Sequence, residues 1–156
     1  MGRAMLHFED FHEGRSFPLG PRTVTAEEII EFAREFDPQP MHLSEEAGRA
    51  SILGGLAASG WHTAALQMRM IVDSYIGNST CQGAPGVDVM DWKKPVLAGD
   101  SLSGEGLVLE ARPLKSRPGI GLVRMRTELQ NQRGDTVCVA EQVIMFSMRS
   151  AKETAA

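Results

Sequence analysis

Cysteine is scarce in this chain of 156 residues: only Cys81 and Cys138 are present. Two are too few for a disulfide framework, and they lack the paired spacing of a metal-ligand set. Reduced thiols, as in a cytoplasmic protein, are the expected state. Long apolar runs are missing as well. No stretch approaches the ~18 residues that a membrane-spanning helix needs, and Met1 to Asp10 lacks the apolar segment of a secretory signal. No internal repeat, low-complexity tract or Pro/Ser-rich linker divides the sequence. One domain over residues 1–149 is therefore expected, with 150–156 as a frayed tail. A strong charge excess is also absent, since 20 acidic residues face 16 basic ones for a net charge of −4. That balance argues against a nucleic-acid partner.

What is present suffices for an ordinary globular core, with 42% apolar and 23% charged residues. The net charge conceals a division. Residues 1–78 carry six Arg and Lys against eleven Asp and Glu, whereas residues 79–156 carry ten against nine. Within 111–127 there are five basic residues and no acidic one, the strongest local positive excess in the chain.

The hydrophobic period also changes between the halves. Thr25 and Glu28 form a capping box, and Ile29, Ile30, Ala33 and Phe36 share one face, which predicts an amphipathic helix over 26–36. Pro38 and Pro40 end it. Ser44 with Glu45 and Glu46 opens a short second helix that ends before Gly54. From Gly60 to Ile76 apolar residues point nearly all round, which predicts a buried helix with something wrapped around it. The second half reads as the wrapping: strands over 86–92, 102–111, 122–130 and 137–148, a hairpin at 131–135, and one more strand near 22–24. The expected class is α+β, a long central helix gripped by a curved antiparallel sheet of about five strands. Five strands do not close on themselves, so a second copy pairing at the edge, a homodimer or higher homo-oligomer, is expected.

Two features carry chemistry. Asp37-Pro-Gln-Pro-Met-His42 is a loop stiffened by two prolines, and an Asp and a His held rigidly suit acid–base work on water. A helix-capping Asp37 and a packed His42 are the alternative. Gly54-Gly-Leu-Ala-Ala-Ser-Gly60 then leads into the long helix, whose first N–H groups are unpaired and partly positive. A carbonyl oxygen lodged there would be polarised, or the glycines merely ease the helix into a crowded core.

These segments resemble the MaoC-like dehydratases, which include (R)-specific enoyl-CoA hydratases. Asp37-Pro-Gln-Pro-Met-His42-Leu is similar to the family's Asp-x-Asn-Pro-x-His-x-Asp motif. Gly55-Leu-Ala-Ala-Ser-Gly60 is similar to its Ile-Ala-His-Gly helix start, and Trp92-Lys-Lys-Pro-Val-Leu-Ala-Gly-Asp100 to its Pro-Val-x-x-Gly-Asp turn. The resemblance spans roughly residues 8–148 and implies the hot-dog fold. It further implies that Asp37 and His42 are the catalytic pair, that the Gly60 N–H holds a thioester oxygen, and that no metal or redox cofactor is needed. The implied partner is an acyl-CoA thioester, with coenzyme A as part of the substrate, and the implied reaction is reversible hydration of a trans-2-enoyl-CoA. Two departures concern the substrate side: Gln39 stands where the family has Asn, and Ser59 where many members have His. With Arg112, Arg124 and Arg126 as phosphate-binding candidates, these are the expected substrate-binding residues. His62 reads as a packed histidine and Asp100 as a turn residue. The rival readings are a hot-dog acyl-CoA thioesterase and a non-catalytic acyl-thioester-binding subunit. The first would want an acid in the central helix, which offers only Asp73, spaced to pair with Arg69.

Overall fold

A computed structural model describes residues 2–150. Of the expected tail only Ser150 is included, and 151–156 lie outside the described residues. Strand β1 (Ser16–Thr23) is followed by helices α1 (Ala26–Phe36), α2 (Glu45–Ala50) and α3 (Gly60–Ser74). Strands β2 (Cys81–Gly83), β3 (Val87–Trp92), β4 (Ser101–Pro113), β5 (Ile120–Gln130) and β6 (Thr136–Ser147) complete the order. They form one antiparallel sheet in the order β1-β4-β5-β6-β2, with β3 also paired to β6.

The sheet has six strands rather than about five. The additional one, β2, spans three residues, too few for alternation to register in a sequence. Strand β1 is also longer than the expected 22–24. Its Phe17 and Leu19 point inward, but Pro18, Gly20 and Pro21 between them mask the strand pattern. Strand β5 keeps the predicted alternation: Val123, Met125, Thr127 and Leu129 are buried, while Leu122, Arg124, Arg126 and Glu128 lie on the other face.

Helix α3 packs Leu66, Met70 and Ile71 into one hydrophobic cluster with Leu102, Val108, Val123, Met125, Leu129 and Ile144 of the sheet. Beyond its C-terminal end, Tyr75 joins Phe11, Phe17 and Phe146, with Phe11 and Phe146 stacked at 4.0 Å between centroids. Burial all round α3 is not observed. Trp61 is 64% exposed and Met68 42% exposed; with Ala65 between them they form a stripe along one side. The sheet of one chain covers only the opposite side of the helix. Among the described residues no helix is long and apolar enough to cross a membrane.

Short connections place the α3 N-terminus. The Thr25 hydroxyl accepts from Glu28 N–H at 3.2 Å and caps α1, and Ser44 does the same for α2 through Ala47 N–H. Gly48 of α2 presses on Gly55, and a Cβ there would collide with the Gly55 carbonyl group. This close approach holds the segment 55–59, and hence the start of α3, against the loop that carries His42.

Candidate active site

Asp37 and His42 bracket the loop that leaves α1. Asp37 ends the helix, its N–H donating to Ala33 O at 2.9 Å. Pro40 then opens a single helical turn that turns His42 inward, to 6% exposure. Nδ1 of His42 lies 2.7 Å from the carbonyl oxygen of Ala57. A carbonyl only accepts, so Nδ1 carries a proton, and Nε2 is the nitrogen turned towards Asp37. That nitrogen is 3.5 Å from Asp37 Oδ2.

The Asp37 carboxylate is gripped from both sides. Ser59 Oγ donates to Oδ2 at 2.7 Å, and Gln39 Nε2 donates to Oδ1 at 2.7 Å. The Ser59 bond, then the Gln39 bond, favour the charged form and hold the carboxyl below the ordinary value of 3.8, against the opposing effect of burial. Gln39 and Ser59, expected on the substrate, are thus both placed on Asp37.

Ser59 is also the N-cap of α3, its oxygen accepting from Trp61 N–H at 3.3 Å. Two residues further on, the Thr63 N–H donates to Ser59 O at 3.0 Å. Among the described residues no group accepts from Gly60 N–H, one of the orphan donors of a helix start. Glycine is required at that position because the Trp92 indole lies across it: a Cβ would sit 2.7 Å from Trp92 Cε2. Trp92 is in turn packed edge-on against Trp61, with centroids 5.2 Å apart.

His42 and Gly60 open into one recess of about 260 Å³, lined also by Ala58, Thr63, Trp92 and Val96. Lys93 and Lys94 stand in its wall, paired at 3.3 Å with Asp91 and Asp135. The arrangement offers a carboxylate and an imidazole nitrogen close together, a free backbone donor, and a small, mostly apolar cavity that His42 and Gly60 line and Asp37 does not. Ser59→Ala should raise the Asp37 titration midpoint towards 3.8, read by carboxyl NMR. A depressed folded-state value stabilises the protein fully above the unfolded value and loses that stabilisation as pH falls through the folded one. The variant should therefore lose part of its acid dependence of stability, on top of about 1 kcal/mol for the cap.

Other expected residues lie elsewhere. Arg112, Arg124 and Arg126 are on the sheet face opposite α3, beside Glu110, Asp88 and Glu141 at 4.0, 2.7 and 3.0 Å. His62 is buried, its ring stacked on Phe32 at 4.8 Å, and burial lowers its pKa while Glu28 opposes the shift. Asp100 accepts from Leu97 N–H at 2.9 Å and from Gln132 Nε2 at 3.0 Å, fixing the turn before β4. Asp73 pairs with Arg69 at 3.0 Å on the exposed side of α3. Among the described residues no three His, Cys, Asp or Glu side chains gather as a metal-binding group. A larger cavity of about 790 Å³ opens at the far end of α3 beside β1, lined by Arg15, Arg22, Met70 and Tyr75, and it contains neither Asp37 nor His42.

Sequence reading missed two participants. The Ala57 carbonyl, which sets the His42 tautomer, leaves no mark in side-chain chemistry. The Trp92 indole over Gly60 was detectable only as the shared order of motifs, since one begins at Trp92 and another ends at Gly60.

A family described as MaoC like domain matches residues 11–133. The uncharacterized protein YdeM of Bacillus subtilis (strain 168) is 30% identical over 128 residues, 81% of this chain and 90% of that one. The crystal structure of the MaoC-like dehydratase from Rhodospirillum rubrum superimposes with a TM-score of 0.85 at 41% identity, covering 93% of this chain and 99% of the other. The unliganded R-hydratase PhaJ1 of Pseudomonas aeruginosa shares the fold, with a TM-score of 0.76 at 23% identity over 93% of this chain and 88% of that one.

Proposed function

From the premise that this chain belongs to the MaoC-like dehydratase family and has its hot-dog fold, we propose that it reversibly hydrates trans-2-enoyl-CoA thioesters. The observation that carries this reading is the 3.5 Å gap between His42 Nε2 and Asp37 Oδ2. With the ring in its neutral form, a water molecule can donate one O–H to each. Its oxygen lone pair is then directed into the recess.

The thioester carbonyl oxygen takes the free Gly60 N–H, which polarises C3 and stabilises the enolate that forms in the transition state. Water oxygen bonds to C3 as one of its protons passes to Asp37, and the C2=C3 electron pair moves to C2. A proton relayed through His42 closes the C2–H bond. One proton is taken and one returned, so the pair ends as it began. The Ser59 and Gln39 bonds keep Asp37 ionised and aimed while this occurs. For the rival thioesterase the central helix supplies only Asp73, which is paired with Arg69 and lines the larger cavity, apart from Gly60.

The exposed stripe of Trp61, Ala65 and Met68, continued by Trp92, is the face that a second copy would cover in the same reading. Light scattering should give twice the chain mass. A cytoplasmic location and coenzyme A as the carrier belong to the same proposal.

Crotonyl-CoA tests the reaction. Loss of enoyl-thioester absorbance without thiol release is expected. Thiol release would favour the thioesterase, and no change across several chain lengths would favour a non-catalytic thioester-binding role.

A further inference from the structure

The larger cavity between β1 and the far end of α3, about 790 Å³, takes no part in the chemistry above. Its size is that of a small-molecule site, roughly 300–1,000 Å³. Part of the lining is apolar and buried, through Phe17, Met70 and Tyr75. The rest carries Arg3, Arg15 and Arg22. These are three of the six basic residues in 1–78, a segment that eleven acids make net negative. Positive charge is thus concentrated at this cavity.

Among the described residues none of the three donates a hydrogen bond to a carboxylate. Arg3 Nη1 donates to the Ser74 carbonyl at 3.4 Å, and Arg15 Nη1 to the Asp10 carbonyl at 2.6 Å. Arg22 is the least engaged. Glu28 Oε1 lies 3.8 Å from its Nη2, beyond hydrogen-bond reach, and its buried Nε has no partner. Arg49, Arg69, Arg124, Arg126 and Arg149, by contrast, each donate to a carboxylate. The one acid of the lining, Asp73, is already held by Arg69 at 3.0 and 3.2 Å.

A guanidinium fork takes a carboxylate or a phosphate through two parallel bonds. We propose that this cavity binds an amphipathic oxyanion, a carboxylate or phosphate monoester on an apolar chain, with its head on Arg22 and its chain along Met70 towards Phe17. Arg3 and Arg15 add to the field that draws the anion in. The site lies apart from the recess of His42 and Gly60 and does not depend on the hydratase reading. Its occupancy is readable at the start of α3. Glu28 Oε1 is also 3.9 Å from His62 Nε2, two residues past Gly60. Burial lowers the His62 pKa most, Glu28 opposes, and the Arg22 charge lowers it further. An anion on Arg22 offsets that charge, so the His62 titration should move up.

The test is calorimetric titration of the full chain with octanoate, octyl phosphate and octanol. One anion should bind per chain, and octanol at least about tenfold more weakly, since it lacks the charge. The tighter of the two anions identifies the head group. Arg22→Gln and Arg22→Met should each weaken the anion by about tenfold and leave octanol unchanged. Two variants are used so that a folding defect in one leaves the question answerable. NMR of the His62 ring should show its titration raised by the bound anion in the wild type and unmoved by it in Arg22→Gln. His42→Ala should bind the anion as the wild type does, and loss of binding there would place the anion in the other recess and overturn the inference. Octanol as tight as octanoate, no binding of either anion, or affinities that both Arg22 variants keep would also overturn it.

Discussion

Asp37→Asn should lower the rate of the proposed crotonyl-CoA hydration by about 10²–10⁴-fold, the usual worth of a positioned acid–base group, while the protein stays folded. An asparagine keeps the shape and can still accept from Ser59, but its amide cannot take a proton from water. His42→Ala should cost as much, for a different reason. It removes the acceptor nitrogen that faces Asp37 Oδ2 at 3.5 Å and leaves the Ala57 carbonyl without its 2.7 Å donor. If the two residues share one water, as proposed, the double variant should be little worse than either single one. Additive losses in steady-state kinetics would mean that they act separately.

Gly60→Ala carries the second large effect, roughly 10–10³-fold in kcat, approaching the loss of an oxyanion-hole donor. The added methyl would stand 2.7 Å from Trp92 Cε2, closer than packed carbons approach. Either the indole moves or the first turn of α3 does, and the second displaces the N–H proposed to take the thioester oxygen. Trp61 and Trp92 are the chain's two tryptophans, so the shift is readable in the fluorescence spectrum. Trp92→Ala added to Gly60→Ala removes the collision and should restore part of the activity. A Gly60→Ala enzyme with normal kcat would separate this N–H from catalysis.

How much of this was legible in the sequence follows from how local each signal is. The Thr25 cap, the prolines that end α1 and the strict alternation of β5 are decided within a few residues, and the structure keeps them. Strand β2 has too few residues for a period, and the turn-forming residues in β1 hide its inward Phe17 and Leu19. Helix α3 misled in one respect: apolar side chains all round it predict complete cover, but the chain itself covers only one side. In the candidate site, Asp37 and His42 were legible because a stiff loop holds them five residues apart. The grip on Asp37 was not. The Ser59 hydroxyl arrives from 22 residues away through the packing of α2 on Gly55, and the longer arm of Gln39 reaches back to Asp37 in the same loop.

The central claim is that Asp37 and His42 direct water to C3 of an enoyl thioester. Mass spectrometry of crotonyl-CoA incubated with the protein in heavy-oxygen water tests it most directly. An intact thioester heavier by one labelled water is expected from the wild type and should be lost in Asp37→Asn. Heavy oxygen in a released free acid, or equal labelling of the thioester by Asp37→Asn, would contradict it.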